Sequence, residues 1–154
     1  MEPIDSALAT IHKSLAPLNI PWMIIGTTSL YLLGFDVDPK DIDISCSKEN
    51  AAIVEEVLQP YKFDFINYPD AKFRSRFSKY LINGIMVELM GGLEINLEPG
   101  WVQLEDYIQT PITIEHNGGS FLVPGVKDQK QIYAILFNRA KDAGIISMIN
   151  KTIV

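Results

Sequence analysis

The chain has 154 residues, a length that suits one domain. Its hydrophobic fraction of 47 % and charged fraction of 21 % are ordinary for globular proteins and exclude a disordered or low-complexity chain. The formal net charge of −6 argues against a large nucleic acid as the main partner, because nucleic-acid binders usually present a basic face.

The cellular setting is predicted from three features. Cys46 is the only cysteine, so no intrachain disulfide forms, which suits a reducing compartment. The N-terminal segment carries acidic residues where a signal peptide needs positive charge. No run reaches the ~18 apolar residues of a membrane span. We therefore expect a cytoplasmic protein with no membrane partner.

The first half of the chain alternates helix and strand signals. Apolar residues at helical spacing predict a helix over residues 5–16, followed by a short buried strand that stops at Gly26. A second helix is predicted from Thr27 or Thr28 to Gly34. Alternating residues 41–46 predict a strand, and a third helix is expected to end at Pro60.

The second half is richer in strand signals. Residues 62–68 are consistent with a strand, and the dipeptide Asn83-Gly84 between two apolar runs predicts a β-hairpin. A second hairpin is predicted around residues 117–119, and helical spacing returns from Lys127. The predicted fold is a single α/β (α+β) domain over residues 1–154, with helices packed on a small mixed sheet.

Two carboxylates lie in the predicted strand over residues 41–46. Side chains two apart on a strand point to the same face, so Asp41 and Asp43 lie side by side while Ile42 and Ile44 face the core. Two like charges this close repel each other, and one tends to stay protonated unless a cation intervenes. A lone Asp-x-Asp is also compatible with a solvated turn or an edge strand.

A third carboxylate interrupts the apolar strand after the Asn83-Gly84 turn. Glu88 shares one strand face with Met86 and Met90. If this strand lies beside the one carrying Asp41 and Asp43, three carboxylates converge, and such oxygen ligands suit Mg²⁺. The sequence does not show that adjacency, and a lone Glu in a strand can equally face solvent.

The stretch Gly-Thr-Thr-Ser at residues 26–29 lies where a strand turns into a helix. Gly26 lets the backbone approach a ligand, and the start of the helix offers free N–H groups to a phosphate. Thr27 and Thr28 add hydroxyl donors. A phosphate-binding turn followed by an acidic pair predicts a site for a nucleoside triphosphate with Mg²⁺, although Gly-Thr is also common at ordinary strand–helix junctions.

The hairpin turn predicts the partner of Glu88. A two-residue turn makes Ile82 and Ile85 the closing pair, and counting back places Lys79 opposite Glu88 on the same face. Lys79 could simply neutralise Glu88, or it could lie near an incoming phosphate or acceptor. Trp101, which follows a Pro-Gly loop, is a further candidate for an acceptor pocket.

These residues resemble the motif of the nucleotidyltransferase superfold shared by polymerase-β-like enzymes. The motif is a Gly-Gly or Gly-Ser pair, an Asp-x-Asp strand and a third acid on a later strand. The small bacterial single-domain members are the most similar, including lincosamide-type enzymes and the minimal nucleotidyltransferases of toxin–antitoxin and phage-defence systems. The resemblance covers residues 20–92 well and rests on Trp22, Ile24, Gly26-Thr27, Asp41, Asp43, Glu88, Arg139, Lys141 and Asp142.

The resemblance implies transfer of a nucleoside monophosphate to an acceptor hydroxyl on a small molecule or a partner protein. It implies Mg²⁺ as cofactor, held by Asp41, Asp43 and Glu88, and a triphosphate held by Gly26, Thr27 and Thr28, with Lys79 near the phosphate or acceptor. The sequence departs from the motif by having Thr27 for Gly or Ser and Glu88 for the commoner Asp. A non-catalytic module of the same fold, such as an antitoxin, is the alternative.

Overall fold

The computed structural model describes residues 2–137 and 139–152, which form five α-helices and seven strands. The helices are α1 (Glu2–Leu15), α2 (Gly26–Leu32), α3 (Lys48–Leu58), α4 (Val126–Gln131) and α5 (Ala143–Asn150). The strands are β1 (Met23–Ile25), β2 (Asp41–Cys46), β3 (Phe73–Ile82), β4 (Ile85–Asn96), β5 (Trp101–Gln103), β6 (Ile112–His116) and β7 (Gly119–Val123). The predicted mixed α/β class is confirmed.

The main sheet is mixed. Its order is β1-β2-β4-β3, and β5 pairs with the C-terminal half of β4. β2 and β4 run parallel, whereas β1 is antiparallel to β2 and β3 is antiparallel to β4. β6 and β7 form a separate hairpin. The pairing of β2 with β4 confirms the adjacency on which the predicted carboxylate site depends.

The β3–β4 hairpin has the predicted register. Asn83 and Gly84 have φ angles of 52° and 81°, as a type I′ turn requires at both central positions. Ile82 therefore pairs with Ile85, and Lys79 pairs with Glu88. The register shifts between Arg74 and Arg76, well away from this pair.

The core is built from apolar stripes on helices packed against alternating strand residues. One cluster joins α1 and α3 to the sheet, and its members include Leu8, Ile11, Ile42 and Val87, all at most 1 % exposed. A second cluster joins α2, the C-terminal part of β4 and the helical segments after residue 126. Burial of these apolar side chains is the main stabilising contribution to the fold.

Residues 62–68 do not form the predicted strand. Only Lys62 makes a bridge, to Tyr80, and the segment then runs irregularly to β3. Ile66 and Tyr68 are largely exposed, and Pro69 removes a backbone donor just after them. Because Ile66 and Tyr68 stay exposed, the segment buries too little apolar surface to be held as a strand along its length, so this prediction was wrong.

The helix predicted from Lys127 is interrupted. α4 ends at Gln131 and continues as a π-helical turn over Ile132–Leu136, a geometry often found at functional sites. None of the helices in the described part of the chain combines the length and apolar character needed to cross a membrane.

Candidate active site

A row of polar side chains crosses the middle of the main sheet. Asp43 on β2 is the register partner of Ile25 on β1 and of Glu88 on β4, and Glu88 is in turn the partner of Lys79 on β3. Since strands in a sheet are ~4.8 Å apart, Asp43, Glu88 and Lys79 are successive neighbours across the sheet. Gly26 directly follows Ile25 and so lies at the β1 end of this row.

One cavity of about 1000 Å³ opens over this row. Its volume is at the upper end of the ~300–1,000 Å³ range of small-ligand sites, so it has room for two reactants. It brings together all but one of the site residues predicted from the sequence, namely Gly26, Thr27, Asp41, Asp43, Lys79 and Glu88.

Gly26 is fitted closely against Asp43. Its φ angle is +70°, a conformation that side chains with Cβ rarely adopt. A Cβ atom at this position would lie 2.8 Å from Oδ2 of Asp43. Only glycine therefore allows the turn to pass so close to the carboxylate. Thr27 also lines the cavity, and its side chain forms a hydrogen bond with the Tyr133 hydroxyl.

Thr28 is not part of the cavity wall. It is 1 % exposed, and its Oγ1 donates a hydrogen bond to the backbone carbonyl of Asp41 at 2.7 Å. The Ser29 hydroxyl donates to the Gly26 carbonyl at 2.5 Å and accepts from Nε2 of Gln129 at 2.9 Å. Thr28 and Ser29 thus tie the turn to β2 and α4, and the structure gives Thr28 a positioning contact instead of an open hydroxyl.

The carboxylates destabilise one another's charged forms. Burial, followed by the charges of Glu88 and Asp41, raises the pKa of Asp43 to about 7, against a partial opposing effect of Arg139 and Lys141. Burial also raises the pKa of Glu88, while the Lys79 ammonium lowers it. A cation placed between Asp41 and Asp43 would relieve this repulsion.

The cavity fits a magnesium ion only in part. Within residues 2–137 and 139–152, no group of three or more His, Cys, Asp or Glu side chains has the arrangement needed to hold a metal ion. The metal-binding role predicted for Glu88 beside Asp41 and Asp43 stays a prediction. Mg²⁺, however, is commonly held by one or two carboxylates and completed by water and substrate phosphates, and the pair Asp41 and Asp43 meets that requirement.

Two basic residues that line the cavity were given no role by the sequence analysis. Arg139 and Lys141 line it, and both favour the ionised form of Asp43. Arg139 is oriented by Asp142, since its Nε lies 2.6 Å from Asp142 Oδ2. The only sequence signal for this pair is the late Arg-x-Lys-Asp stretch, which the resemblance singled out without giving it a function.

One part of the cavity wall, next to Lys79, is apolar. Phe65, Ile66, Tyr68 and Phe77 line it, and we call these four residues the apolar wall. The Lys79 ammonium lies over the Phe65 ring, 4.8 Å from its centroid. Local sequence pattern does not indicate that residues 65–68 line the site, because it predicts a strand there.

Comparison with known proteins identifies the fold. No protein-family model and no curated protein sequence matches the chain. Similar solved structures include a putative nucleotidyltransferase from Thermotoga maritima, with 27 % identity and a TM-score of 0.73 over 94 % of this chain and 91 % of that one.

Two further similar structures share only the fold with this chain. The lincomycin-bound lincosamide antibiotic adenylyltransferase LnuA has 13 % identity, a TM-score of 0.62 and 94 % coverage of both chains. ANT(2″)-Ia in complex with adenylyl-2″-tobramycin has 11 % identity and a TM-score of 0.60, over 96 % of this chain and 88 % of that one. The predicted nucleotidyltransferase fold is confirmed, and the prediction of an enzyme agrees with these neighbours.

Proposed function

We propose that this protein is a metal-dependent nucleotidyltransferase that moves a nucleoside monophosphate from a nucleoside triphosphate to an acceptor hydroxyl. One observation carries the proposal: Asp41, Asp43 and Glu88 line the same cavity as the Gly26-Thr27 turn, on a nucleotidyltransferase fold. A buried carboxylate whose pKa is raised by its neighbours is a common feature of catalytic sites.

The triphosphate binds at the β1 end of the cavity. There Gly26 allows close approach of the backbone, and Thr27 presents a hydroxyl shared with Tyr133. Arg139 and Lys141 supply positive charge on the same cavity, where charge-assisted hydrogen bonds to phosphate oxygens are strong. Thr28 stabilises the turn through its hydrogen bond to the Asp41 backbone carbonyl.

Asp41 and Asp43 hold Mg²⁺, which when bound neutralises phosphate charge and aligns the reacting oxygens. Glu88, one strand further along, accepts the proton of the acceptor hydroxyl. Burial raises the pKa of Glu88, which makes it a better proton acceptor than an ordinary Glu, and the neighbouring Lys79 favours its ionised form.

The acceptor is a small molecule or a partner protein. Two of the similar structures carry antibiotic-related ligands in their names, lincomycin in one and adenylyl-2″-tobramycin in the other. At identities of 13 % and 11 % these ligands do not transfer to this chain.

A thermal melt with and without Mg²⁺ and each of the four nucleoside triphosphates tests the nucleotide half of the proposal. Ligand at a hundredfold excess over its dissociation constant stabilises the folded state by about 2.7 kcal/mol. For a domain of this size we expect the melting temperature to rise by roughly 5 °C to 10 °C. The Asp43→Asn variant should lose most of this rise.

The transfer half is tested with triphosphate labelled at the α-phosphate, incubated with Mg²⁺ and a cell extract. Label moving to a small molecule or a protein supports the proposal and identifies the acceptor class. No shift with any triphosphate, together with no transfer, would instead favour a non-catalytic module of the same fold, such as an antitoxin.

A further inference from the structure

The apolar wall exposes side chains that globular proteins normally bury. Ile66 and Tyr68 are 72 % and 74 % exposed, the highest values among the large exposed hydrophobic residues of the described chain. Both line the cavity instead of being scattered over the outer surface. An exposed apolar surface inside a concave polar site is typical of a ligand-binding wall.

The apolar wall is anchored next to the row formed by Asp43, Glu88 and Lys79. Phe65 packs edge-to-face on Phe77 with ring centroids 5.5 Å apart, and Phe77 lies two residues before Lys79 on β3. Lys79 pairs with Glu88, so the wall begins directly beside the proposed proton acceptor. A ligand resting on Phe65 and Phe77 therefore lies beside Lys79, the register partner of Glu88.

The order of strands separates the two ends of the site. Gly26 and Thr27 follow β1, Asp43 lies on β2, Glu88 on β4 and Phe77 on β3. In an in-line displacement the attacking and leaving oxygens lie on opposite sides of phosphorus. With the leaving pyrophosphate at the β1 end, the acceptor approaches from the β3 end, where the apolar wall lies.

We infer that the acceptor is a small alcohol or phenol whose hydroxyl is carried on an apolar body of at least one ring, held by Phe65, Ile66, Tyr68 and Phe77. This inference rests on the proposed nucleotidyl transfer and names its substrate class. Sugars and other polyols lack a surface to match Ile66 and Tyr68, and are poor acceptors. Trp101, whose ring centroid lies 4.1 Å from the Arg74 guanidinium carbon, lines the same cavity.

The proposed transfer step needs no reactant besides the triphosphate, the acceptor and the Glu88 carboxylate. The acceptor oxygen forms a bond to the α-phosphorus, and the bond from that phosphorus to the bridging oxygen breaks. Pyrophosphate leaves with the electron pair, and the acceptor proton goes to the Glu88 carboxylate. The product is a phosphodiester between the nucleoside and the apolar alcohol.

A binding experiment tests the inference with 2-(4-nitrophenyl)ethanol as probe and glycerol as polar control. Binding is followed by ligand-detected NMR in the presence of Mg²⁺ and α,β-methylene ATP, whose bridging carbon prevents transfer. We expect the probe to bind together with the nucleotide analogue and glycerol not to bind. An Ile66→Ser, Tyr68→Ser double variant should weaken probe binding at least fivefold and leave the melting shift with Mg-ATP unchanged.

Ile53→Ser is the matched control, because Ile53 is 42 % exposed on α3 and does not line the cavity. Equal probe binding by the control and the double variant would overturn the inference, as would no binding to the wild type. Competition between the probe and the nucleotide analogue would mean that the wall holds the nucleobase, which also overturns it. Absence of a melting shift with all four nucleoside triphosphates and Mg²⁺ in the wild type, together with no transfer, would instead overturn the proposed nucleotidyl transfer, and with it the acceptor role.

Discussion

Two carboxylate groups of this protein experience opposite environments. Asp5 on α1 lies 2.7 Å from Nε2 of His116 and accepts a hydrogen bond from the Tyr31 hydroxyl at 2.8 Å. Burial alone would raise its pKa, but the hydrogen bonds from His116 and Tyr31 and the His116 charge lower it. The pKa of Asp43 is instead raised to about 7 by burial and by two neighbouring carboxylates.

The difference separates a structural carboxylate from one prepared for a ligand. Asp5 finds donors within the protein, so its ionised form is stabilised by the fold that it helps to hold together. Around Asp43, the charges of Arg139 and Lys141 offset the effects of burial and of the two neighbouring carboxylates on its pKa only in part, so a bound cation would stabilise its ionised form further. Functional sites commonly hold such side chains, whose charged forms lower the stability of the folded protein.

The largest expected effect comes from Asp43→Asn, which is nearly isosteric and removes one negative charge. Loss of a metal ligand removes several kcal/mol of transition-state stabilisation, so transfer should fall by at least about a hundredfold. Rates at saturating Mg²⁺ measure this. Asp5→Asn is the control and should keep the wild-type rate per folded molecule; an Asp43→Asn variant retaining more than about a tenth of the rate would remove Asp43 from the metal site.

Gly26→Ala introduces a steric clash with the same carboxylate. The added Cβ would lie 2.8 Å from Asp43 Oδ2, and the φ of +70° is strained for alanine. We expect a loss of about 2 kcal/mol in the free energy of unfolding and loss of the melting shift with Mg-ATP. Gly144→Ala, in α5 with no atom within 4 Å of the new Cβ, should be neutral or stabilising by ~0.5–1 kcal/mol. A Gly26→Ala variant that still binds Mg-ATP normally would show that the turn tolerates a side chain.

The pH dependence of stability in EDTA should have opposite signs for the two carboxyls. The folded-state pKa of Asp43, about 7, is above the ordinary aspartate pKa of 3.8, so the folded state holds the proton more tightly between these values. Its contribution to stability therefore falls as pH rises from about 4 to 7, by at most ~1.4 kcal/mol per pH unit. The lowered pKa of Asp5 gives a contribution present above 3.8 and lost as pH falls below it.

Urea titrations of wild type and Asp43→Asn at pH 5 and pH 8 measure the first of these effects. The variant should gain stability relative to wild type at pH 8 and little at pH 5. Because the difference between the two proteins is compared, histidine titration cancels. A pH-independent difference would show that Asp43 is not protonated in the metal-free fold.

The smallest expected effect is that of Asp5→Ala on stability. The substitution removes the carboxylate that His116 and Tyr31 both contact. Because the side chains of Asp5 and His116 are partly exposed, we expect a loss of only about 1 kcal/mol in the free energy of unfolding. Thermal melts at pH 7 measure it, with the Mg-ATP shift retained. A large loss of that shift would instead connect the Asp5 cluster to the nucleotide site.

Much of the candidate site could be predicted from local pattern. The alternation of residues 41–46 placed Asp41 and Asp43 on one face, and the structure confirms a strand with Ile42 and Ile44 fully buried. The Asn83-Gly84 turn fixed the pairing of Lys79 with Glu88, which the structure also confirms. Both results depend on geometry within a few residues, namely strand periodicity and the φ angles of a two-residue turn.

Tertiary packing decided the rest. The parallel pairing of β2 with β4 joins residues about 45 apart in sequence and brings Glu88 beside Asp43. Thr28, predicted to face a phosphate, turns inward to Asp41 because burial requires its hydroxyl to find a partner. Residues 65–68 become a cavity wall instead of a strand, and Tyr133, Arg139 and Lys141 reach the site from the C-terminal segment. Such contacts depend on which elements pack together, and local sequence patterns do not determine that packing.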